Sequence, residues 1–259
     1  DPSIAPVWDL WNFSYLYYDP ISDNRHNPPS AANISNRLAL VDYTKIVIDE
    51  ENSTVYLEEP GMKLDLGSVV KGYAADKLRD AIMAAGYTKA IIDVGGNIHT
   101  LGQGVNPDNS DRPWRMGLQT PYFGFGSSLP NQFGVYELTD QTIVSSGVYE
   151  RYIKDEDGNE YHHIIDPRTE YPFDNEVISV TIVTTNSMLA DALSTVVLAL
   201  GLDEGMALIE ALEGVEAVFV VRATIGNEVY ISSGAVSYFT FEENMTNFNY
   251  TYKGVYGGN

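Results

Sequence analysis

An apolar segment at residues 187–200 carries a candidate site for metal chemistry. It is hydrophobic nearly all round, which predicts a buried helix. Asp191 and Thr195 lie four residues apart in it, on one helical face. A buried carboxylate is costly unless it is paired, hydrogen-bonded or bound to a cation, and the segment contains no basic residue. The pair is therefore either a set of oxygen ligands for Mg²⁺ or an acid near the helix start with a threonine bonded to a preceding carbonyl.

A second candidate lies at residues 65–73, where a glycine-containing turn opens a predicted helix. Backbone N–H groups at a helix start, together with Lys71, can meet an anion. The spacing differs from that of a Walker A loop, which has four residues between its glycines and Ser or Thr after its lysine. Taken alone, the segment is better explained as an ordinary strand-to-helix connection.

The third candidate is the adjacent pair His162 and His163, two of the four histidines in the chain. Neighbouring residues of a strand point to opposite sides, so the two are poor joint metal ligands. A neutral imidazole is well matched to removing a hydroxyl proton near pH 7. The alternative is one histidine in solvent and one hydrogen-bonded in the core.

Hydrophobic periodicity predicts the elements that would position these residues, and it indicates an α+β fold with mixed or antiparallel sheets and packed helices. The stretch from Ser22 to Ser35 is rich in turn-forming residues and predicts a surface loop. The predicted helices are 68–85, 187–200 and 203–212. The predicted strands are 89–94, 177–184 and 217–222, with hairpins joining 45–49 to 54–57 and 229–232 to 236–241.

Composition limits the classes of function. The chain has 259 residues, 44% of them hydrophobic and 20% charged, which is typical of a globular protein, and we interpret residues 1–259 as a single domain. The net charge of -21 makes nucleic acid an unfavourable partner. The absence of cysteine excludes thiolate metal sites, disulfides and cysteine nucleophiles. A polyanionic ligand would need a metal to offset the charge of this chain.

The first residues resemble the interior of a domain rather than its beginning, because an aromatic-rich apolar cluster starts at Trp8. We therefore expect that an N-terminal portion is missing from this sequence.

The order of the motifs closely resembles that of the FAD:protein FMN transferase (ApbE) family. The resemblance covers nearly the whole chain. It implies an ApbE-like, T-fold-related α+β architecture without its N-terminal portion. Glu170 departs from the family pattern, which usually has glycine there, and this predicts a different turn. The matching segments are 1–7 with 10–13, 65–76, 93–98, 145–151, 162–169 and 190–195.

This resemblance implies a Mg²⁺-dependent transferase that splits the pyrophosphate of its substrate FAD, moves FMN to a Ser or Thr hydroxyl of an acceptor flavoprotein and releases AMP. The implied base is one of the two histidines, with His163 favoured over His162. The implied metal site comprises the Asp191 carboxylate, the Thr195 hydroxyl and the Ser68 carbonyl, with Ser194 nearby. The implied FAD contacts are Ser3, Ile4, Ala5, Asp65, Lys71 and Ile165.

Two alternatives remain open from the sequence: a Mg²⁺-dependent FAD pyrophosphatase that releases FMN and AMP, and a non-catalytic FAD-binding protein. The resemblance also implies an acceptor with a Ser/Thr-containing flavinylation motif. It implies an exported bacterial lipoprotein, at the cell surface or in the periplasm. Membrane attachment would then depend on a lipid anchor in the missing N-terminal portion.

Overall fold

The computed structural model describes residues 1–19, 22–124 and 128–258. The chain divides into two compact units. The first unit comprises Asp1–Leu66 and Val148–Asp174, and the second comprises Gly67–Gly147 and Asn175–Asn259. The interpretation of residues 1–259 as one domain stays a prediction.

The described residues form five α-helices and sixteen strands. The helices are α1 (Ala5–Trp11), α2 (Ala31–Leu38), α3 (Val70–Ala84), α4 (Ser187–Leu200) and α5 (Leu202–Glu210). The strands are β1 (Ile46–Asp49), β2 (Thr54–Leu57), β3 (Ala90–Val94), β4 (Asn97–Leu101), β5 (Gly104–Val105), β6 (Asp111–Arg112), β7 (Trp114–Gln119), β8 (Gln132–Leu138), β9 (Thr142–Gly147), β10 (Tyr152–Lys154), β11 (Glu160–His162), β12 (Val177–Thr184), β13 (Glu216–Arg222), β14 (Asn227–Ile231), β15 (Phe239–Phe241) and β16 (Tyr250–Val255). Within the described ranges, no helix combines the length and apolar character needed to span a bilayer.

The first unit is built around the aromatic residues at the start of the sequence. Trp11 and Phe13 are fully buried and stack with ring centroids 5.6 Å apart. They pack with Val7, Ile34 and Ile165 in one apolar cluster. Strands β1 and β2 form the expected hairpin, and β10 pairs with β11 in a second antiparallel ribbon.

The second unit contains a seven-stranded sheet in the order β16-β14-β13-β12-β9-β4-β3. Its neighbours are antiparallel except for the parallel pair β14 and β16. Every residue of β12 is buried, as the Val- and Ile-rich run at 177–184 predicts. Helix α4 packs against β4, β9 and β12, and α3 packs against α4, β3 and β4. Two helices therefore lie on one end of the sheet, and the α+β class predicted from sequence is confirmed.

The predicted helices and the buried strands are confirmed, with boundaries that agree to within two residues. The predicted hairpin between 229–232 and 236–241 is wrong. Residues Ser233–Ser237 form a 3₁₀ helix instead of a tight turn, so β14 pairs with β13 and β16 while β15 pairs with β8. The loop predicted for 22–35 is wrong from Ala31 onward, where Ser30 caps α2 by accepting a hydrogen bond from the Asn33 N–H.

Candidate functional site

Helices α3 and α4 are joined by contacts that fix the position of Asp191. The Asp191 Oδ2 accepts a hydrogen bond from the backbone N–H of Gly72, with an N···O distance of 2.9 Å. The Asp76 carboxylate accepts from the N–H groups of Ser187 and Met188, each at 3.0 Å, and so satisfies the free donors at the start of α4. This arrangement aims the Asp191 side chain at the first turn of α3.

Gly72 permits this close approach because it has no side chain. A Cβ at this position would lie 2.2 Å from the carbonyl oxygen of Ser187. A glycine inside a helix normally costs stability relative to alanine. At residue 72, the lost propensity is offset by the contact between the two helices.

We predict that Gly72→Ala destabilises the protein by about 3 kcal/mol, because the added methyl group must separate α3 from α4. Chemical denaturation monitored by circular dichroism measures this loss. Gly124→Ala is the control, since a Cβ there meets no heavy atom of the described residues within 4 Å. Equal stability of the two variants would contradict the tight contact.

The Asp191 carboxylate is only 4% exposed. None of the ion pairs formed among the described residues includes it. Its surroundings therefore lack the basic partner that a buried carboxylate usually has, while a divalent cation would balance its charge.

The other predicted metal ligands lie on the same two helices or just before them. Ser194 is buried, donates its hydroxyl to the Asp191 carbonyl at 2.9 Å, and lies 2.7 Å from the Ser146 Oγ. Thr195 is half-buried on α4, and Ser68 is exposed in the turn before α3. These residues offer carboxylate, hydroxyl and carbonyl oxygens, the donor chemistry that suits Mg²⁺.

No cluster of three or more His, Cys, Asp or Glu that could hold a metal occurs among the described residues. An ion in the second unit would therefore depend on hydroxyl and carbonyl oxygens as well as on Asp191. Lys71, the predicted anion contact, is half-buried in the first turn of α3.

The first unit brings together the predicted contacts at the start of the chain. Ser3 is buried, and both its N–H and its hydroxyl bond to the Asp1 carboxylate, at 2.8 and 2.6 Å. The Asp65 N–H donates to the Pro2 carbonyl at 2.8 Å, which holds Asp65 beside the same segment. Ile4 packs on the apolar cluster that contains Ile165, and Ala5 is the first residue of α1.

The two histidines have different environments. His162 places its Nε2 2.8 Å from the Phe173 carbonyl and accepts from the Ile164 N–H at its Nδ1, so both ring nitrogens stabilise the local fold. Burial lowers the pKa of His162, which keeps it neutral. The His163 Nδ1 lies 3.0 Å from the Arg151 carbonyl. Since a carbonyl only accepts, Nδ1 carries the proton and the basic lone pair belongs to Nε2.

Sequence reasoning missed the roles of Gly72, Asp76 and Ser146. The mid-helix glycine at 72 was the available signal, because such a residue often marks a close backbone approach. Asp76 and Ser146 gave no comparable signal, since their partners lie on α4, far along the chain.

Glu170 adopts a backbone conformation that suits glycine. Its φ is +62°, and its N–H donates to the Asp166 carbonyl at 2.7 Å. The backbone of Glu170 is thus left-handed at the position where the resemblance implies glycine. The Glu170 side chain is 2% exposed, and its Oε1 has no hydrogen-bond partner among the described residues. Burial raises the pKa of this carboxyl.

We predict that Glu170→Gln stabilises the protein increasingly as pH rises. Because the folded-state pKa of Glu170 is raised, the folded state holds its proton more tightly than the unfolded state. The wild type therefore loses stability as pH rises from the unfolded pKa of about 4.5 to the folded pKa, and the glutamine variant does not. Urea unfolding of both proteins at several pH values measures the difference. A pH-independent difference would contradict an ionisable, buried Glu170.

Comparison with known proteins finds related sequences and folds. The model of the ApbE family matches residues 1–219. A FAD:protein FMN transferase of Klebsiella pneumoniae is 37% identical over 220 residues, which cover 85% of this chain and 62% of that protein. A protein of the same name from Treponema pallidum is 33% identical over 240 residues, covering 87% of this chain and 63% of that protein. The chain thus spans less than two thirds of the length of either relative.

Among solved structures, the flavin transferase ApbE from Vibrio cholerae superposes with a TM-score of 0.71 and 26% sequence identity. The match covers 92% of this chain and 70% of that one. The ApbE protein from Thermotoga maritima matches with a TM-score of 0.69 and 27% identity, over 96% of this chain and 71% of that chain.

Proposed function

This chain belongs to the ApbE family, and we propose that it transfers FMN from FAD to a Ser or Thr hydroxyl of an acceptor flavoprotein, with release of AMP and dependence on Mg²⁺. The observation that carries this proposal is the buried Asp191 carboxylate, which faces the first turn of α3 and takes part in no ion pair formed among the described residues. The names of the relatives support the same activity.

In the proposed reaction, the acceptor hydroxyl oxygen bonds to the phosphorus of the FMN half of FAD. The bond from that phosphorus to the bridging pyrophosphate oxygen breaks, and AMP leaves with the bridging oxygen. The hydroxyl proton passes to a base. Phosphoryl transfer of this kind is catalysed mainly by positioning and by neutralising charge.

The second unit supplies the residues that would hold the metal: Asp191, Thr195 and the Ser68 carbonyl. Ser194 lies between Asp191 and Thr195 on α4 and donates a hydrogen bond to the Asp191 carbonyl. Bound Mg²⁺ would offset the pyrophosphate charge and polarise the phosphoryl oxygens. Lys71 adds a positive charge in a chain whose net charge is -21.

The first unit supplies the proposed base and flavin-nucleotide contacts. We assign the base to His163, because its Nδ1–H donates to the Arg151 carbonyl, which orients the ring and makes Nε2 the proton-accepting nitrogen. His162 is assigned a structural role, since both of its nitrogens have partners in the fold. Ser3, Ile4, Ala5, Asp65 and Ile165 are the proposed FAD contacts.

The decisive experiment incubates the protein with FAD, Mg²⁺ and a peptide that carries a Ser/Thr flavinylation motif. Intact mass spectrometry of the peptide and an assay for AMP measure the products. Transfer predicts a peptide heavier by FMN less one water, together with AMP. Free FMN and AMP without labelled peptide would instead indicate a pyrophosphatase, and the absence of both products would indicate a flavin-binding protein. The identity of the acceptor and export as a lipoprotein stay predictions.

A further inference from the structure

Asn97 is a buried polar residue that the proposed reaction does not yet use. Its side chain is 0% exposed, and neither its Oδ1 nor its Nδ2 has a hydrogen-bond partner in the described structure. Buried amides almost always find partners in protein or in ordered water. Two unpaired atoms on one fully buried side chain therefore indicate that a bound polar group forms hydrogen bonds with Asn97.

The strand register shows which way Asn97 faces. It lies directly opposite Val144 in the pairing of β4 with β9, so the two side chains share a face of the sheet. Thr142 and Ser146, two residues to either side of Val144, share that face as well. The Thr142 Oγ1 lies 2.9 Å from the Oγ of Ser187 on α4, so this face is the one covered by the helices.

The same contacts place Asn97 and Asp191 at about the same position along the axis of α4. Thr142 touches α4 at Ser187, and Ser146 touches α4 two turns later at Ser194, with its Oγ 2.7 Å away. Val144 lies midway between these contacts, and Asp191 lies between Ser187 and Ser194 on the helix. Since β4 is the next strand toward α3, Asn97 occupies the side of α4 on which Asp191 meets Gly72.

The turn that precedes Asn97 is exposed to solvent. Gly95 and Gly96 have φ values of +61° and +93°, and a Cβ built on either residue meets no heavy atom within 4 Å. The Gly96 N–H is held by the Asp93 carboxylate at 2.9 Å, which fixes the turn. Asn97 thus lies directly after an uncrowded surface turn.

We infer that Asn97 is a positioning residue of the proposed Mg²⁺ site, with its Oδ1 accepting a hydrogen bond from metal-bound water. This inference rests on the proposed function. Mg²⁺ keeps several waters when it binds to proteins, and these waters need acceptors in the surrounding shell. A neutral amide supplies both an acceptor and a donor without adding charge.

The test is calorimetric titration of Mg²⁺ into the chain and its variants in the absence of FAD, so that affinity is measured apart from turnover. Asn97→Leu keeps the approximate shape and removes both polar atoms, and it should weaken Mg²⁺ binding by about 10- to 100-fold. Asn97→Asp keeps an acceptor oxygen and should recover most of that affinity. Thr120→Val is the matched control, because its buried Oγ1 also lacks a partner but lies outside α3, α4 and β4.

Wild-type Mg²⁺ affinity in Asn97→Leu, or an equal loss in Thr120→Val, would overturn the inference. Asp191→Asn, titrated in parallel, separates this result from a failure of the metal site itself. If Asp191→Asn loses Mg²⁺ binding and Asn97→Leu does not, only the role of Asn97 is wrong. If neither variant changes the affinity, or if the unsubstituted chain binds no Mg²⁺, the proposed metal site is wrong as well.

Discussion

Asp191→Asn is expected to lower Mg²⁺-dependent release of AMP from FAD by about 10³-fold or more. Stabilisation of transition-state charge by a metal contributes several kcal/mol, and each 1.36 kcal/mol is about tenfold in rate. Asparagine has the shape of aspartate and can still accept from the Gly72 N–H, so the contact between α3 and α4 should persist. The measurement is the steady-state rate of AMP release across a range of Mg²⁺ concentrations.

The matched control for this substitution is Glu204→Gln, which removes one negative charge from an exposed position on α5. It should leave the rate within about twofold, because an exposed charge is screened by solvent. A comparable loss in both variants would mean that the chain responds to net charge and would remove the metal assignment from Asp191.

His163→Gln is expected to slow FMN transfer to a peptide acceptor by about 10²- to 10⁴-fold, the usual contribution of a positioned general base. FAD affinity should change little, because the imidazole is assigned to the proton of the acceptor hydroxyl and not to the dinucleotide. Single-turnover mass spectrometry of the peptide measures the rate, and flavin fluorescence measures the affinity.

His162→Gln distinguishes the two adjacent histidines. Its ring nitrogens contact the Phe173 carbonyl and the Ile164 N–H, so its loss should lower thermal stability while the folded protein still transfers FMN. The reverse pattern, with transfer lost only in His162→Gln, would reassign the base.

Sequence patterns predicted the elements that can be recognised from residues close together in the chain. Helix α4 was predictable because its residues are apolar nearly all round, and β12 because a run of β-branched residues is typical of a strand buried on both faces. The shared helical face of Asp191 and Thr195 could be recognised for the same reason, from their four-residue spacing within that helix.

Features that depend on distant partners could not be predicted. Asp76 holds the N-terminus of α4 across 111 residues of sequence. β15 pairs with β8, which comes about a hundred residues earlier, so the nearby β14 was a natural but wrong choice of partner. Likewise, His162 and His163 are distinguished by hydrogen bonds to the main-chain carbonyls of Phe173 and Arg151. Every residue has such a carbonyl, so the sequence does not identify these partners.

The bond from Gly72 to Asp191 joins residues 119 apart in the chain. An ion site built on this contact has no counterpart in the unfolded polypeptide, where α3 and α4 are separated and β4 and β9 are unpaired. Ion binding and folding are then thermodynamically linked, and free Mg²⁺ at a hundred times its dissociation constant would add about 2.7 kcal/mol to the unfolding free energy. The divalent-ion content of the surrounding medium would thereby shift the equilibrium between folded and unfolded chains, before any flavin is bound.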